Sequence, residues 1–234
     1  MQKKTILIAI VIIIICLTSA TAVFLYTTNY NQPTDHSILV ILLDDTDNLP
    51  GIGSADFGFV IQLNNDDITN LTPIYPKALP LPNATPPLEL ENVGITKLYF
   101  IDSLYDVDLN TGAEHAQEIV EDDKGMKTDS VVIIRPAAID AILTSLGGVE
   151  INGSLVTNNS LSFLREEQNE GNLTRADAVE SMGYAIQDAA QNSSKRSAMI
   201  QAITIQYAKG NIVVIPNSLF YNLITQEAMK KLFG

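Results

Sequence analysis

The pattern of apolar and polar residues predicts strands early in the chain and helices late. Apolar or alternating runs of strand length lie at 38–43, 57–63, 68–75, 130–135 and 149–151. The polar residues 64–67 separate the second run from the third and predict a hairpin turn. Since strands come first, then a strand–helix–strand unit, then helices, we expect an α/β domain with a mixed sheet sandwiched by helices.

Helix signals follow the fourth of these runs. Pro136 suits a first helical turn, and Ile139, Ile142 and Leu143 recur at helical spacing before Gly147, which predicts the helix end. Two capping boxes predict further helices: Thr111 with Glu114, and Thr174 with Asp177. The first would begin a short helix that runs through Val120. The second would begin a helix over 174–190, and a further helix is predicted over 194–208.

Two segments have other signals. Residues 76–93 hold five prolines, so we expect an extended loop without regular structure there. Residues 216–233 carry a helical pattern and predict one or two closing helices.

The N-terminal segment is typical of a membrane anchor. Residues 5–26 carry no charge, and as a helix they would extend about 33 Å, enough to cross a bilayer. Small residues at 19–22 also resemble a signal-peptidase site, but the apolar segment continues beyond them, which favours an uncleaved anchor. We therefore expect a cytoplasmic stub and anchor over 1–26, a linker over 27–37 and an outer domain over 38–234, facing away from the cytoplasm.

The composition of the outer part narrows its partners. Beyond Lys3 and Lys4 the chain has 12 basic and 27 acidic residues, a formal charge of −15. Such a surface should repel nucleic acid and anionic lipid headgroups. The single cysteine, Cys16, lies in the expected span, so no disulfide is expected outside. Candidate glycosylation sites begin at Asn70, Asn83, Asn152, Asn158, Asn172 and Asn192.

Aspartates at the ends of two predicted strands are the main candidates for a site. Asp44 ends the first strand and Asp56 begins the second, so a short loop would bring both carboxylates to one sheet edge, where ligands of α/β sheets commonly bind. Two interpretations stay open: a weak divalent-cation site, with Mg²⁺ as the possible ion, or acidic residues that cap turns and face water. Asp45 and Asp47 do not complete a calcium loop, because Leu49 and Pro50 stand where a ligand and a glycine are needed.

Other chemical signals are weaker. Asp106, Asp108 and Asn110 alternate as in a calcium loop, with Glu118 further on, but the glycine is one place late, and a turn that caps a helix at Thr111 is favoured. The chain has no nucleotide-binding glycine loop. Its two histidines, His36 and His115, are too few for a zinc site or a serine triad.

Several segments resemble the LytR-CpsA-Psr domain. They are the strand ending in Asp44 and the following GSAD with Asp56, then SVVIIRPAAIDAILTSLGGVEING, then LREEQNEGNLTRADAVE with SSKRSAMIQAI. A related group of archaeal and bacterial membrane proteins, known as a domain of unknown function, is more similar still. The resemblance covers roughly residues 38–210.

The resemblance implies an outward-facing envelope protein. Active members transfer glycans from polyprenyl pyrophosphate, with Mg²⁺ on carboxylates and arginines on the pyrophosphate. By resemblance, Lys77, Arg165, Arg175 and Arg196 are the candidate ligand-binding residues, and Asp44 with Asp56 the metal candidates. Because arginines are few, we expect a non-catalytic domain that binds a surface glycan, a lipid-linked precursor or a partner protein. The alternative is a divergent Mg²⁺-dependent phosphotransferase that uses Asp44, Asp56, Lys77, Arg165 and Arg196.

Overall fold

The structure is a computed structural model. It describes residues 35–45, 52–64, 67–75, 79–81, 84–105, 108–151, 153–170, 175–190 and 192–216. The expected anchor over 1–26 and the expected helices over 217–233 lie outside these ranges and stay predictions. Among the helices within them, none combines the length and apolarity that crossing a bilayer requires.

The described strands form a five-stranded mixed sheet and a two-stranded hairpin. Their bounds are β1 Asp35–Asp44, β2 Ser54–Asn64, β3 Asp67–Ile74, β4 Ser130–Ile134, β5 Val149–Ile151, β6 Ser154–Val156 and β7 Ile212–Ile215. The large sheet has the order β3-β2-β1-β4-β7, in which β1 and β4 are parallel and the other neighbours antiparallel. β5 pairs with β6 in the hairpin. The predicted mixed sheet is confirmed, and β1 includes the last three residues of the expected linker.

Helices cover both faces of the sheet. Their bounds are α1 Leu88–Asn92, α2 Leu109–Lys124, α3 Pro136–Ser145, α4 Ser160–Glu170, α5 Arg175–Ala190 and α6 Ser193–Ala208, with a 3-10 helix at Phe100–Asp102. α3 begins at the predicted proline and ends before Gly147, which has a φ of 76°. α5 and α6 agree with the predicted helices.

Alternation along β1 divides the core into two faces. On what we call the front face, Ile38 and Val40 pack with residues of α3, α4, α5 and α6, among them Ile142 and Met182. On the back face, Leu39 and Ile41 pack with the 3-10 helix and with α2. Because the sheet is buried on both sides, its central strands read as continuous apolar runs.

Three sequence predictions were wrong. The proline-rich segment contains α1, since Pro87 occupies its N-cap position, where proline removes no helical hydrogen bond. α2 begins at Leu109 and not at Thr111, because the Asp108 side chain accepts hydrogen bonds from the backbone N–H groups of Asn110 and Thr111. α2 also continues to Lys124 instead of stopping at Val120.

Candidate binding cleft

A β-bulge brings Asp56 onto the face that Asp44 occupies. In a regular strand Asp56 would share the back face with Val60, whereas Asp44 continues the front-face alternation of Ile38 and Val40. The register between β1 and β2 shifts, however, because Leu42 pairs with Phe57 while Leu43 pairs with Ala55. Asp56 is the extra residue, so it lines the front-face cleft beside Phe57.

The chain that enters β2 packs tightly against the backbone of Asp44. Gly53 has a φ of 121°, and a Cβ there would lie 2.7 Å from the Asp44 carbonyl oxygen. The Ser54 hydroxyl donates to the same oxygen over 3.5 Å. Glycine is therefore required at position 53, and the end of β1 is held in one place by its neighbour.

Arg165 of α4 forms an ion pair with Asp44. Its guanidinium Nη2 donates to Asp44 Oδ2. The Asp44 side chain is 6% exposed and that of Arg165 is 42% exposed, so the carboxylate is buried and the guanidinium reaches solvent. This pair joins the end of β1 to α4.

A second arginine lies at the same edge of the sheet. Arg135 follows β4 directly, and its Nη1 lies 3.9 Å from Asp45 Oδ2. Sequence reasoning did not include Arg135 among the site residues. The order of the strands gave a signal for Arg135, because the carboxyl ends of parallel strands meet at one edge of a sheet. β1 ends at Asp44 and the parallel strand β4 ends at Ile134, so the next residue, Arg135, comes to the edge where Asp44 lies.

The ion pair of Asp44 and Arg165 borders a cleft on the front face. The cleft is small and open to solvent, with an enclosed volume of about 20 Å³. Its lining is mainly apolar: Leu42, Leu43, Phe57, Pro136, Ile139, Leu161, Leu164 and Val179. Asp56, Arg165 and Ser160 are the polar residues of the lining, and Ser160 is fully buried. The lining has the composition of a small-ligand site, apolar with a few convergent polar groups, but the enclosed space holds about one water molecule.

Asp140 fixes the start of α4 against α3. Its Oδ1 accepts a hydrogen bond from the backbone N–H of Ser160 at 2.8 Å. That contact satisfies one of the N–H groups that a helix N-terminus leaves without an intrahelical partner. Since α4 carries Ser160, Leu161, Leu164 and Arg165, Asp140 helps to position four residues of the cleft.

The possible Mg²⁺ site fits the structure only together with a ligand. In the described ranges no three His, Cys, Asp or Glu side chains come together as metal ligands. Mg²⁺ is commonly held by one or two carboxylates with phosphate oxygens and water. Asp44 and Asp56 supply such carboxylates on one face, but Arg165 already engages Asp44.

Arg196, a further candidate ligand residue, does not join this cleft. Arg196 is exposed in the first turn of α6. The opposite end of α6 lies nearer the site, because Asn211, three residues after the helix ends, accepts a hydrogen bond from the Arg135 N–H. The helix from Arg196 to Ala208 extends about 18 Å, which separates Arg196 from that edge. Lys77 and the side chain of Arg175 lie outside the described part of the chain.

The second acidic candidate acts as a helix cap. Besides its two backbone contacts, Asp108 Oδ2 accepts a hydrogen bond from the Thr111 hydroxyl at 2.6 Å. The Thr111 side-chain hydrogen bond, with the backbone bonds, lowers the pKa of Asp108 below its ordinary value of 3.8. These contacts agree with the expected capping turn, while Asp106 lies outside the described residues.

Three of the candidate glycosylation sites are described, and all three are exposed. Asn70 lies on β3, where its amide donates to Gln62 Oε1 and Thr72 Oγ1. Asn158 precedes α4, and Asn192 caps α6 by accepting from the Ser194 and Lys195 N–H groups. The sites at Asn83, Asn152 and Asn172 lie outside the described ranges.

Solved structures of low sequence identity share this fold. The chain is similar to gbs0355 from Streptococcus agalactiae, with 16% identity and a TM-score of 0.53 over 81% of this chain and 73% of that one. It is also similar to TagV from B. subtilis, with 15% identity and a TM-score of 0.54 over 83% and 80% of the two chains. TagV is a LytR-CpsA-Psr protein, and the domain is LytR-CpsA-Psr-like in fold.

A family model identifies the chain more narrowly. It matches residues 34–168, more than half of the chain, and its family is described as protein of unknown function, DUF4012. The chain belongs to this family. Among curated proteins none matches the sequence.

Proposed function

We propose that the domain binds an anionic amphiphile of the cell envelope, such as a lipid-linked glycan precursor, without transforming it. The cleft is the observation that carries this proposal: an apolar lining ends at the partly exposed guanidinium of Arg165. An apolar chain would have to widen the cleft; it would then bury its surface against Leu161, Leu164 and Val179, while its anionic group would reach Arg165. Arginine suits this role, since its planar fork binds phosphate oxygens in pairs.

The charges of the site favour binding over phosphoryl transfer. Each described arginine at this edge, Arg135 and Arg165, faces an aspartate, so the edge offers too little net positive charge for the two phosphates of a pyrophosphate. Four arginines in the whole chain and a charge of −15 beyond the expected span leave little positive potential to stabilise a pyrophosphate transition state.

The location at the cell surface is part of the proposal. The apolar run over 5–26 would anchor the chain, with the acidic domain on the outer side. The fold shared with TagV supports an envelope role. In sealed outside-out vesicles, added protease should digest the domain, and a domain that stays shielded would contradict this orientation.

Three small probes test the binding proposal. Decyl phosphate combines an apolar chain with an anion, decanol lacks the anion, and methyl phosphate lacks the chain. Calorimetry on the 234-residue chain in nanodiscs, with empty nanodiscs subtracted, should show saturable binding of decyl phosphate alone, weakened in Arg165→Gln. Equal binding of decanol and decyl phosphate, or no binding of either, would sink the proposal.

The alternative function is a divergent Mg²⁺-dependent phosphotransferase. It is supported by the presence of Arg165 and Asp44 at one edge of the sheet, since these residue types would hold a pyrophosphate and its cation once their own ion pair is broken. Lys77, Asp56 and Arg196 complete the set inferred from the resemblance. The chain would be incubated with Mg²⁺ and a polyprenyl-pyrophosphate sugar; reproducible phosphate release would replace the binding proposal with this one.

A further inference from the structure

Tyr75 exposes an aromatic ring at the end of β3. The residue directly follows the strand and is 48% exposed. Among the large apolar residues that are exposed in the described ranges, it is the only aromatic one. Single exposed apolar residues are common on protein surfaces, so the surroundings of the ring decide whether it has a role.

The register of the sheet places Tyr75 in line with two residues of the cleft. Leu42 pairs with Phe57 across β1 and β2. Gly58 pairs with Ile74 across β2 and β3, so the next residues along these strands, Phe57 and Tyr75, lie opposite each other. The three side chains form one row across three neighbouring strands, and both Leu42 and Phe57 line the cleft. Tyr75 therefore continues the apolar surface of the cleft onto the edge strand.

Phe57 holds the Tyr75 ring in place without covering it. The two ring centroids are 5.7 Å apart, and the ring planes meet at 80°. In an edge-to-face pair of this kind, at least one face of the Tyr75 ring stays clear of Phe57. The electron-rich face of an aromatic ring attracts C–H groups, such as those on the flat face of a sugar ring. A stacked sugar would keep its hydroxyl groups in water.

The size of the exposed surface separates a sugar from a protein partner. A stable protein interface buries about 800 Å² on each partner, far more than half of one tyrosine. The other exposed large apolar residues of the described chain lie on other elements: Leu88 and Val93 at α1, Leu155 on β6 and Ile205 on α6. The surface at Tyr75 has the size of one sugar ring.

We infer that Tyr75 is a specificity-determining residue that stacks on a hexose beyond the anionic group of the ligand, so that the domain selects a glycosylated lipid phosphate over an unglycosylated one. This inference rests on the proposed function and adds a sugar contact to it. Only β2 separates β3 from β1, so Tyr75 and Asp44 lie on strands about 10 Å apart. One ligand that carries a phosphate at Arg165 and a sugar at Tyr75 spans that separation.

Two phosphodiesters isolate the contact of Tyr75. Decyl β-glucosyl phosphate and decyl methyl phosphate share the decyl chain and one negative charge, and they differ only in the group beyond the phosphate. Calorimetry on the 234-residue chain in nanodiscs, with empty nanodiscs subtracted, should show the glucosyl diester binding about threefold to tenfold more tightly. Tyr75→Leu should remove that difference by weakening the glucosyl diester alone, whereas Tyr75→Phe keeps the ring and should retain the difference.

The outcomes keep this inference separate from the binding proposal. Leu88→Ala, at an exposed apolar position of α1, is the control and should leave the preference for the glucosyl diester intact. The role of the Tyr75 ring is overturned, while the binding proposal stands on decyl phosphate, if the unchanged protein shows no such preference, if Tyr75→Leu keeps it or if Tyr75→Phe loses it. If neither diester nor decyl phosphate binds, both proposals fall together.

Discussion

Arg165 donates a hydrogen bond to Asp44 across 121 residues of sequence. The contact fastens α4, which carries one wall of the cleft, to the end of the central strand β1. It also occupies the guanidinium that an anionic ligand would use. An anion must therefore compete with Asp44 for Arg165, and a cation at Asp44 would assist that exchange.

Loss of the guanidinium should cost more stability than loss of the carboxylate charge. Arg165→Met would leave the buried Asp44 carboxylate without its charged partner, and we expect the free energy of unfolding to fall by about 1–3 kcal/mol. Asp44→Asn should cost less, because the half-exposed Arg165 can turn towards water. Urea denaturation measures both.

Arg196→Met is the matched control for this comparison. Arg196 is exposed, so its replacement should change the free energy of unfolding by no more than about 0.5 kcal/mol. Equal losses in Arg165→Met and Arg196→Met would show that the pair with Asp44 contributes nothing measurable.

Gly53→Ala should disturb the end of β1. The new Cβ would meet the Asp44 carbonyl oxygen at 2.7 Å, and the φ of 121° would add strain, so we expect a loss of about 1–3 kcal/mol. Gly94→Ala is the control, because its φ of 88° is also positive but nothing lies within 4 Å of the added Cβ. If the two variants lose equal stability, the close approach at Asp44 is not what requires glycine.

The cap of α2 should give stability that depends on pH. Because folding lowers the pKa of Asp108, its ionised carboxylate stabilises the folded state at neutral pH, above the unfolded value of 3.8. This stabilisation is lost as the pH falls through the folded pKa. Asp108→Ala should therefore be less stable than the unchanged chain at pH 7, with a smaller difference in strong acid. Thermal unfolding at several pH values measures this, and a constant difference would contradict it.

Binding of Mg²⁺ should depend on a phosphate-bearing ligand. Because Arg165 engages Asp44, calorimetry should detect little binding of Mg²⁺ alone and more in the presence of decyl phosphate. Asp56→Asn should remove the increase. Binding that this substitution leaves unchanged would remove Asp56 from the cation site.

The sheet was predictable because its strands are buried on both faces. Apolar runs marked β1, β2 and β4, and Pro136 with Gly147 marked both ends of α3. The hairpin strand β6, the edge strand β7 and helix α4 were missed. α4 is rich in polar residues after Leu164, and β7 is only four residues long, so neither carries a strong periodic signal.

The candidate site was predictable in part. Strand ends pointed to Asp44 and Asp56, and the resemblance pointed to Arg165. Regular alternation would have placed the two aspartates on opposite faces, and only the register shift at Leu42 and Leu43 brings Asp56 to the cleft. The sequence shows no mark of that bulge, because it depends on how two distant strands pair.

Filling the cleft tests the central claim most directly. Leu161 lines the cleft and is only partly buried, so Leu161→Trp should occupy the space of the apolar chain while the fold is kept. Leu155→Trp, at a position 69% exposed on β6, is the control. Since each methylene that leaves its buried site costs about 0.8 kcal/mol, displacing two should weaken decyl phosphate binding about tenfold or more. We predict that loss for Leu161→Trp and unchanged binding for Leu155→Trp; equal affinity in the two variants would contradict binding in the cleft.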